Sequence, residues 1–376
     1  MAILRAGLPR LQRGCNHSER EHYPGRPFMF LRNSWYVAAW DRELGRQPRG
    51  RIILGEPIVL YRQEDGKPIA LEDRCCHRHL PLSLGRLEGD TLRCGYHGLR
   101  FDASGRCVEI PGQTQIPPDA AIRSYPLIER FNWVWIWMGE PKGADPALIP
   151  NWWWADHPDW ACAKPDMIPV ACNYQLINDN VLDVTHLVYV HASSIGNPSI
   201  NDFPATTERE DNLVRLTRWI IDRPAPPMYQ AAGHFAGNVD RWQIVEHQPP
   251  CFSVNFAGCA ATGTGAPQGD RNHGIELMAL SAPTPETERT THYFFAFPRK
   301  FGLGDAALDK VFNVDFVNVF REDVAVLEAQ QRMMELKPFA PSVSIKVDAA
   351  PVAARRLLAR MIAEEQPPRD SAWPGG

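Results

Sequence analysis

Two short pairs of metal-binding residues, Cys75-x-His77 and Cys94-x-x-His97, constrain this chain more than any other feature. Sixteen residues separate the pairs, so two loops can bring them to one centre. Thiolates suit zinc and iron–sulfur clusters, and imidazoles suit either. Zinc fingers usually pair Cys with Cys and His with His. Here each loop supplies one of each, so one iron can take both thiolates and a second iron both imidazoles. That division of ligands belongs to a [2Fe–2S] centre with a potential well above that of an all-cysteine cluster. Structural zinc is the competing reading. Cys76 and His79 crowd the first pair. Cys75 keeps a one-residue gap to His77, so Cys75 is assigned as ligand and Cys76 and His79 as bystanders. Cys15, Cys107, Cys162, Cys172, Cys251 and Cys259 lack metal spacing and read as apolar fillers.

The rest of the chain gives these loops a setting. Its 376 residues allow one large domain or two ordinary ones. A net charge of -4 argues against a nucleic-acid binder, and no apolar run reaches the length of a membrane span. Nine cysteines, scattered and odd in number, fit a reducing compartment, the cytoplasm, better than a disulfide framework. Residues 1–28 are arginine-rich without periodicity and are expected to be a disordered extension, with the folded chain starting at Met29. From Trp35 to about Pro141 short strands alternate with tight turns, as at Arg51–Leu54, Ile58–Arg62 and Trp133–Trp137, which reads as a small β domain. Pro146–Trp160 reads as a linker. Beyond it the pattern predicts a helical segment over Tyr174–Val190 and strands at Leu213–Trp219, Arg241–Glu246, Gly274–Leu280 and Thr291–Phe297. Helices are expected at about Ala306–Glu335 and Val352–Glu364. Strands with a long late helix make an α+β second domain. The glycine-rich run 263–269 has the wrong spacing for a dinucleotide loop and reads as a hairpin loop.

A second metal site is expected in that domain. Asn180, Asp183 and His186 are three apart and stay on one side of a helix. His186 and His191 are five apart, about 140° around an ideal helix, and can share a metal only if the helix widens or ends between them. The β-branched Val188 and Val190 favour an ending there. Non-haem Fe(II) oxygenases hold iron with two histidines and one carboxylate. On the late helix Leu308, Phe312, Phe316, Val319, Phe320 and Leu327 form an apolar stripe, and Asp323 falls near its centre. A carboxylate facing a core is costly unless paired or metal-bound. Asp315 and Glu322, nearer the edge, are weaker alternatives.

Taken together, the chain from Met29 on resembles the Rieske non-haem iron oxygenases, and within them the oxygenase subunits of the vanillate O-demethylase and toluenesulfonate methyl-monooxygenase group. The residues carrying the resemblance are Asn33-Ser34-Trp35-Tyr36-Val37-Ala38, Cys75-Cys76-His77-Arg78, Cys94-Gly95-Tyr96-His97-Gly98, Asn180-Val181-Leu182-Asp183-Val184-Thr185-His186, Thr284-Pro285-Glu286-Thr287-Glu288, and Arg321-Glu322-Asp323 with Glu328-Ala329-Gln330. The resemblance implies an all-β Rieske domain over 29–145 and a helix-grip catalytic domain over 146–376, with a curved antiparallel sheet around a long C-terminal helix. It implies a [2Fe–2S] Rieske cluster on Cys75, His77, Cys94 and His97. It implies a mononuclear Fe(II) on His186, His191 and Asp323. Asp183 is implied to bridge His97 of one subunit and His186 of the next in a homotrimer, and Asn180 to tune access or hydrogen bonding near the iron.

The activity so implied is oxidation of a small aromatic substrate with O2, foremost O-demethylation of a methoxy-aromatic acid with release of formaldehyde. Hydroxylation of an aryl methyl group and N-demethylation are the alternatives at the same iron. Electrons are expected from a separate NADH-linked flavin/iron–sulfur reductase, since this chain has no nicotinamide or flavin loop. A bare Rieske electron carrier would leave the second half unexplained, and a ligand-binding protein without catalysis is the third reading. For the substrate pocket, Trp242, Glu246, His247, Asn255 and His292 are candidates by their place on predicted strands.

Overall fold

The computed structural model describes residues 30–365, and the expected extension over 1–28 lies outside them. The first unit is built on tryptophan-rich strands. Trp35–Trp40 pairs antiparallel with Trp133–Trp137, which pairs in turn with Leu127–Arg130. Every residue of the first two strands is buried. Continuous rather than alternating burial means that both faces of the strands are covered. A second sheet runs Arg49–Ile53, Glu56–Arg62, Pro68–Glu72 and Ser124–Tyr125. Its first hairpin turns at Leu54 and Gly55, both at positive φ, the geometry that matches strand twist across a two-residue loop. A third small sheet, Arg86–Glu88, Thr91–Arg93, Arg100–Phe101 and Cys107–Glu109, holds the Cys94–His97 loop between its second and third strands.

The second unit is one antiparallel sheet in the order Ala161–Ala163, Thr291–Arg299, Gly274–Pro285, Phe252–Ala261, Val239–Gln248, Leu213–Arg223 and Thr206–Glu210, with Ile168–Val170 also paired to Thr291–Arg299. Its inner face meets the helices: Leu277, Phe295 and Phe297 pack with Leu176, Ile177, Phe316 and Leu327. Its outer face packs in part on the first unit, where Phe252, Met278, Leu280 and Phe294 join Trp35, Trp133 and Trp135 in one core. Four strands of this unit escaped the sequence pattern, among them the short Ala161–Ala163 and Ile168–Val170. Phe252–Ala261 alternates only from Phe252 to Phe256 before running into Ala257-Gly258-Cys259-Ala260-Ala261, small residues that carry no period, and Thr206–Glu210 is a charged edge strand with no buried residue.

The stretch over 146–160 is not a free linker. Trp152 packs edge-on against Trp133 at 5.2 Å and Phe252 at 6.0 Å between ring centres, so it wedges between the units. Removing it would cost about 3–5 kcal/mol. Main-chain and side-chain bonds add to the junction: Thr284 Oγ1 donates to Val37 O at 2.8 Å and Leu54 N to Pro285 O at 2.9 Å.

Four helices line the inner face, among them the short Pro227–Gly233, whose Tyr229 packs on Val239, Ala257 and Cys259. Tyr174–Leu182 begins on Asn173, whose side chain accepts from Gln175 N at 2.9 Å. It ends earlier than the sequence predicts, because Asp183 turns extended (φ -107°, ψ 92°) and its Oδ1 accepts from Thr185 N at 2.8 Å. A single 3-10 turn follows at His186–Val188. The late helix runs Ala306–Leu336 with a π-helical turn at Val311–Asp315, a feature frequent near functional sites. The last helix, Ala349–Glu365, returns to the first unit, where Glu365 Oε2 accepts from Arg32 N at 2.8 Å. No helix among the described residues is long and apolar enough to cross a membrane.

Candidate metal centres

The two Cys/His loops fold alike. Cys75 N donates to Leu80 O at 3.0 Å and Cys94 N to Leu99 O at 2.8 Å, while His79 N donates back to Cys75 O at 2.9 Å and Gly98 N to Cys94 O at 3.2 Å. His79 (φ 58°) and Gly98 (φ 76°) therefore occupy the same left-handed place in their loops. Glycine is the default there, and at Gly98 an added Cβ would stand 2.9 Å from Pro111 Cγ. Cys75 and Cys94 are buried side by side; burial pushes the Cys75 thiol up to about 11, and Cys94 adds to the rise. The rings of His77 and His97 lie 4.6 Å apart and face solvent. Cys76 is exposed, as is His79. A buried thiol pair beside an exposed imidazole pair is the donor set a mixed-ligand cluster needs, so the residues present fit that group.

The second centre draws on residues far apart in sequence. His186, His191 and Asp323 each offer a ligand atom within 4.8 Å of the others, as a metal site requires. Asp323 Oδ1 lies 3.0 Å from His191 Nε2 and 3.3 Å from His186 Nε2. Burial alone would raise the Asp323 carboxyl, but hydrogen bonds and charge from the two histidines outweigh it and hold it down to about 2. Asn180 Nδ2 donates to the same Oδ1 at 3.0 Å and so fixes the carboxylate. Two imidazoles and one carboxylate in a partly buried cleft fit a mononuclear iron with open positions.

The partners of the two histidines differ from expectation. The chain breaks its helix at Asp183, before His186 rather than after it, so Asp183 and His186 do not share a helical face with Asn180. The short contact to His186 Nδ1 comes from the main-chain carbonyl of Asp183, not its carboxylate, which is turned to Thr185. Glu322, a weaker alternative as ligand, instead meets the far side of the other imidazole: its Oε2 lies 2.7 Å from His191 Nδ1. Gly196 closes the loop behind His191, donating to His191 O at 2.8 Å. A Cβ there would fall 2.2 Å from Leu187 O. Asp315 is exposed.

The pocket candidates scatter. Trp242 Nε1 donates to Glu276 at 2.9 Å on the outer face, and Glu246 pairs with Arg215 at 2.8 Å on that same face. His292 Nε2 lies 2.9 Å from Ile52 O, at the junction of the two units. His247 and Asn255 do face inward; His247 is buried against Ser253 Oγ at 2.9 Å. What the sequence reading missed is the polar character of the inner wall, where Arg218, Arg241 and Gln243 are buried. The one available signal was register: Arg241 and Gln243 alternate with Trp242 and Ile244, and of the expected Trp242, Glu246 and His247 only His247 shares their face.

Residues 34–126 match the Rieske [2Fe-2S] domain, and residues 170–364 match the vanillate O-demethylase oxygenase C-terminal domain. The chain is 44% identical to the toluene-4-sulfonate monooxygenase system iron-sulfur subunit TsaM1 of Comamonas testosteroni, over 90% of this chain and 98% of that one. It is 37% identical to a vanillate O-demethylase oxygenase subunit of Pseudomonas sp. strain HR199, over 92% and 98%. A crystal structure of dicamba monooxygenase with non-heme iron and dicamba superposes with a TM-score of 0.77 at 32% identity, covering 90% of this chain and 99% of the other. The fold and the two centres thus define a Rieske non-haem iron oxygenase. The chain belongs to the vanillate O-demethylase family of oxygenase components, oxidoreductases fed with electrons by a separate reductase.

Proposed function

We propose that this oxygenase oxidises a methyl carbon carried by a small aromatic acid, either an aryl methyl or a methoxy group. The observation that carries the reading is the His186–His191–Asp323 cluster, set between helix and sheet in a chain that also holds a Rieske domain. The methyl C–H gains one oxygen atom of O2, and two electrons and two protons reduce the other to water. An aryl methyl group becomes a hydroxymethyl group; a methoxy group becomes a hemiacetal that collapses to a phenol and formaldehyde. The higher identity to the toluenesulfonate component, 44% against 37%, favours the aryl methyl group.

A ferrous ion on His186, His191 and Asp323 would supply the chemistry that activates O2, and a cluster on Cys75, His77, Cys94 and His97 the electrons. Asn180 holds the Asp323 carboxylate in place, and Glu322 orients His191 through the ring nitrogen turned away from the metal. Burial of the site excludes competing water. We take 29–145 as the electron-accepting domain and 146–376 as the catalytic one. A homotrimer in the cytoplasm, served by an NADH-linked flavin/iron–sulfur reductase, completes the reading. In such a ring Asp183 would stand between His97 of a neighbouring copy and His186.

The decisive experiment supplies the metal-loaded protein with a surrogate reductase, NADH and O2, and offers 4-toluenesulfonate, 4-methylbenzoate and vanillate. Hydroxymethyl product or formaldehyde in step with O2 uptake is expected. Full metal content with no O2-coupled product from any of the three defeats the proposal. Asp183→Asn tests the bridge: it keeps the main-chain contact to His186 and removes only the carboxylate's charge, so cluster reoxidation should slow sharply while both metals stay bound. Unchanged reoxidation would remove Asp183 from that role.

A further inference from the structure

The inner face of the catalytic sheet carries a positive charge that the fold leaves unneutralised. Arg241 is 2% exposed. Its Nη2 donates to Ile195 O at 3.2 Å, and its guanidinium lies 4.9 Å from the centre of the Tyr229 ring. Its Nε and Nη1 have no acceptor, and no carboxylate among the described residues pairs with it. The neighbouring Gln243, 1% exposed, has an unpartnered Oε1 on the same face, and Asn255 Oδ1 is likewise unpartnered on the next strand. Across the strand on the other side, opposite Gln243, stands Arg218, 4% exposed. Arg218 is tied down: its Nη1 donates to Val184 O at 3.1 Å and its Nη2 to Thr185 Oγ1 at 2.9 Å, and Asp183 lies close enough to favour its charge. Arg241 has no such carboxylate.

Burying an unpaired cation is strongly unfavourable, and groups of this kind are kept only where something meets them. The place of Arg241 says what. Ile195, whose carbonyl accepts from Arg241, follows His191 by four residues, so the guanidinium lies against the segment that presents the metal-binding imidazole. Around it lie Tyr229, Ala257, Cys259 and Ile275, an apolar seat beside the charge. Charge at one end, apolar surface beside it and the metal cluster nearby match a flat ring that bears an anion.

We infer that Arg241, with Gln243 beside it, is the specificity site for the anionic group of the substrate, an aryl carboxylate or sulfonate. The anion accepts from the free N–H groups of Arg241. The Gln243 amide turns its Nε2–H toward the same oxygens, since either end of an amide can face inward. The arene then lies toward His186, His191 and Asp323 with its oxidisable substituent away from the charge. The inference rests on the proposed oxidation of aromatic acids and adds the residue that selects them.

The test is calorimetric binding to the full-length, metal-loaded protein. The probes are 4-toluenesulfonate and 4-methoxybenzoate, each beside its neutral counterpart, 4-toluenesulfonamide and 4-methoxybenzamide. The wild-type protein should bind at least one of the acids about 100-fold more tightly than its amide, the scale of a charged partner in a desolvated site. Comparing the two acids tells sulfonate from carboxylate. Arg241→Gln should abolish the preference and Arg241→Lys restore part of it, with the visible spectrum of the cluster unchanged and binding compared at equal iron content. Equal binding of acids and amides by the wild-type protein overturns the inference, and that comparison stands even if Arg241→Gln fails to fold. A preference that survives Arg241→Gln in a folded protein also overturns it. Acids bound selectively but never oxidised would support this site while defeating the proposed reaction; oxidation of neutral arenes alone would do the reverse.

Discussion

The two metal centres of this chain are built by opposite strategies. The cluster loops are local and repeated: each is a short turn closed by the same two main-chain hydrogen bonds, with the thiol inside and the imidazole outside. The iron triad is assembled from a broken helix and a helix more than a hundred residues later, with His191 1% exposed. A centre that exchanges electrons with another protein benefits from imidazoles at the surface. A centre that handles O2 benefits from a dry cleft in which ligands are held by distant elements. The comparison teaches that ligand spacing is short where function needs exposure and long where it needs burial.

Removing one ligand from each centre tests whether the two are independent. Asp323→Ala should lose the mononuclear iron and reduce turnover well beyond the roughly 100-fold typical of a supporting partner, while the visible spectrum of the cluster persists. His97→Ala should do the reverse, abolishing that spectrum and leaving the other iron in place. Loss of both metals from either variant, read by iron analysis and absorption, would show that the centres are not separable.

Acid should distinguish the two units next. His247 lies wholly inside the catalytic sheet, and burial pushes its pKa down to about 4. An unfolded histidine titrates near 6.5, so the unfolded state takes up protons first as pH falls. The stabilisation is complete above pH 6.5 and is lost as pH falls toward 4, by about 3 kcal/mol. Urea unfolding between pH 7 and 4 should show this slope for the catalytic unit, and His247→Gln should flatten it. His77, His79 and His97 in the Rieske unit are exposed.

A smaller effect follows from the partner of His191. Glu322→Gln keeps the shape but weakens acceptance of the ring N–H, and iron affinity should fall by about 10-fold with the cluster untouched. Unchanged affinity in a chelator competition would reduce Glu322 to a surface acid. The smallest change restores the likeness of the two loops. His79→Gly should stabilise the protein by about 1 kcal/mol or less by relieving a left-handed backbone, with the cluster spectrum unaltered. A shifted spectrum would show that His79 does more than fill the turn.

How much of this was legible beforehand differs between the centres for the same reason. Cys75, His77, Cys94 and His97 stand out because their chemistry and spacing are local. Asp323 was reachable because a carboxylate inside an apolar helical stripe is an anomaly that periodicity exposes. The strand Phe252–Ala261 was not, since its alternation stops at Phe256 and the small residues that follow favour no strand by type. Nor were the partners of the triad: the turn at Asp183 hands His186 a carbonyl instead of a carboxylate, and Glu322 comes to His191 from another helix.

The sequence by itself pointed to the two sets of candidate ligands and determined the order of the β unit and the α+β unit and the helix that bears Asp323, because those depend on residue type and short-range period. Only the tertiary structure decided which face of Val239–Gln248 turns inward. A shift of one residue in register reverses every side chain of a strand, and that choice rests on packing against helices far away in the chain. It is the choice that puts Trp242 outside and leaves Arg241 buried beside the metal-binding segment.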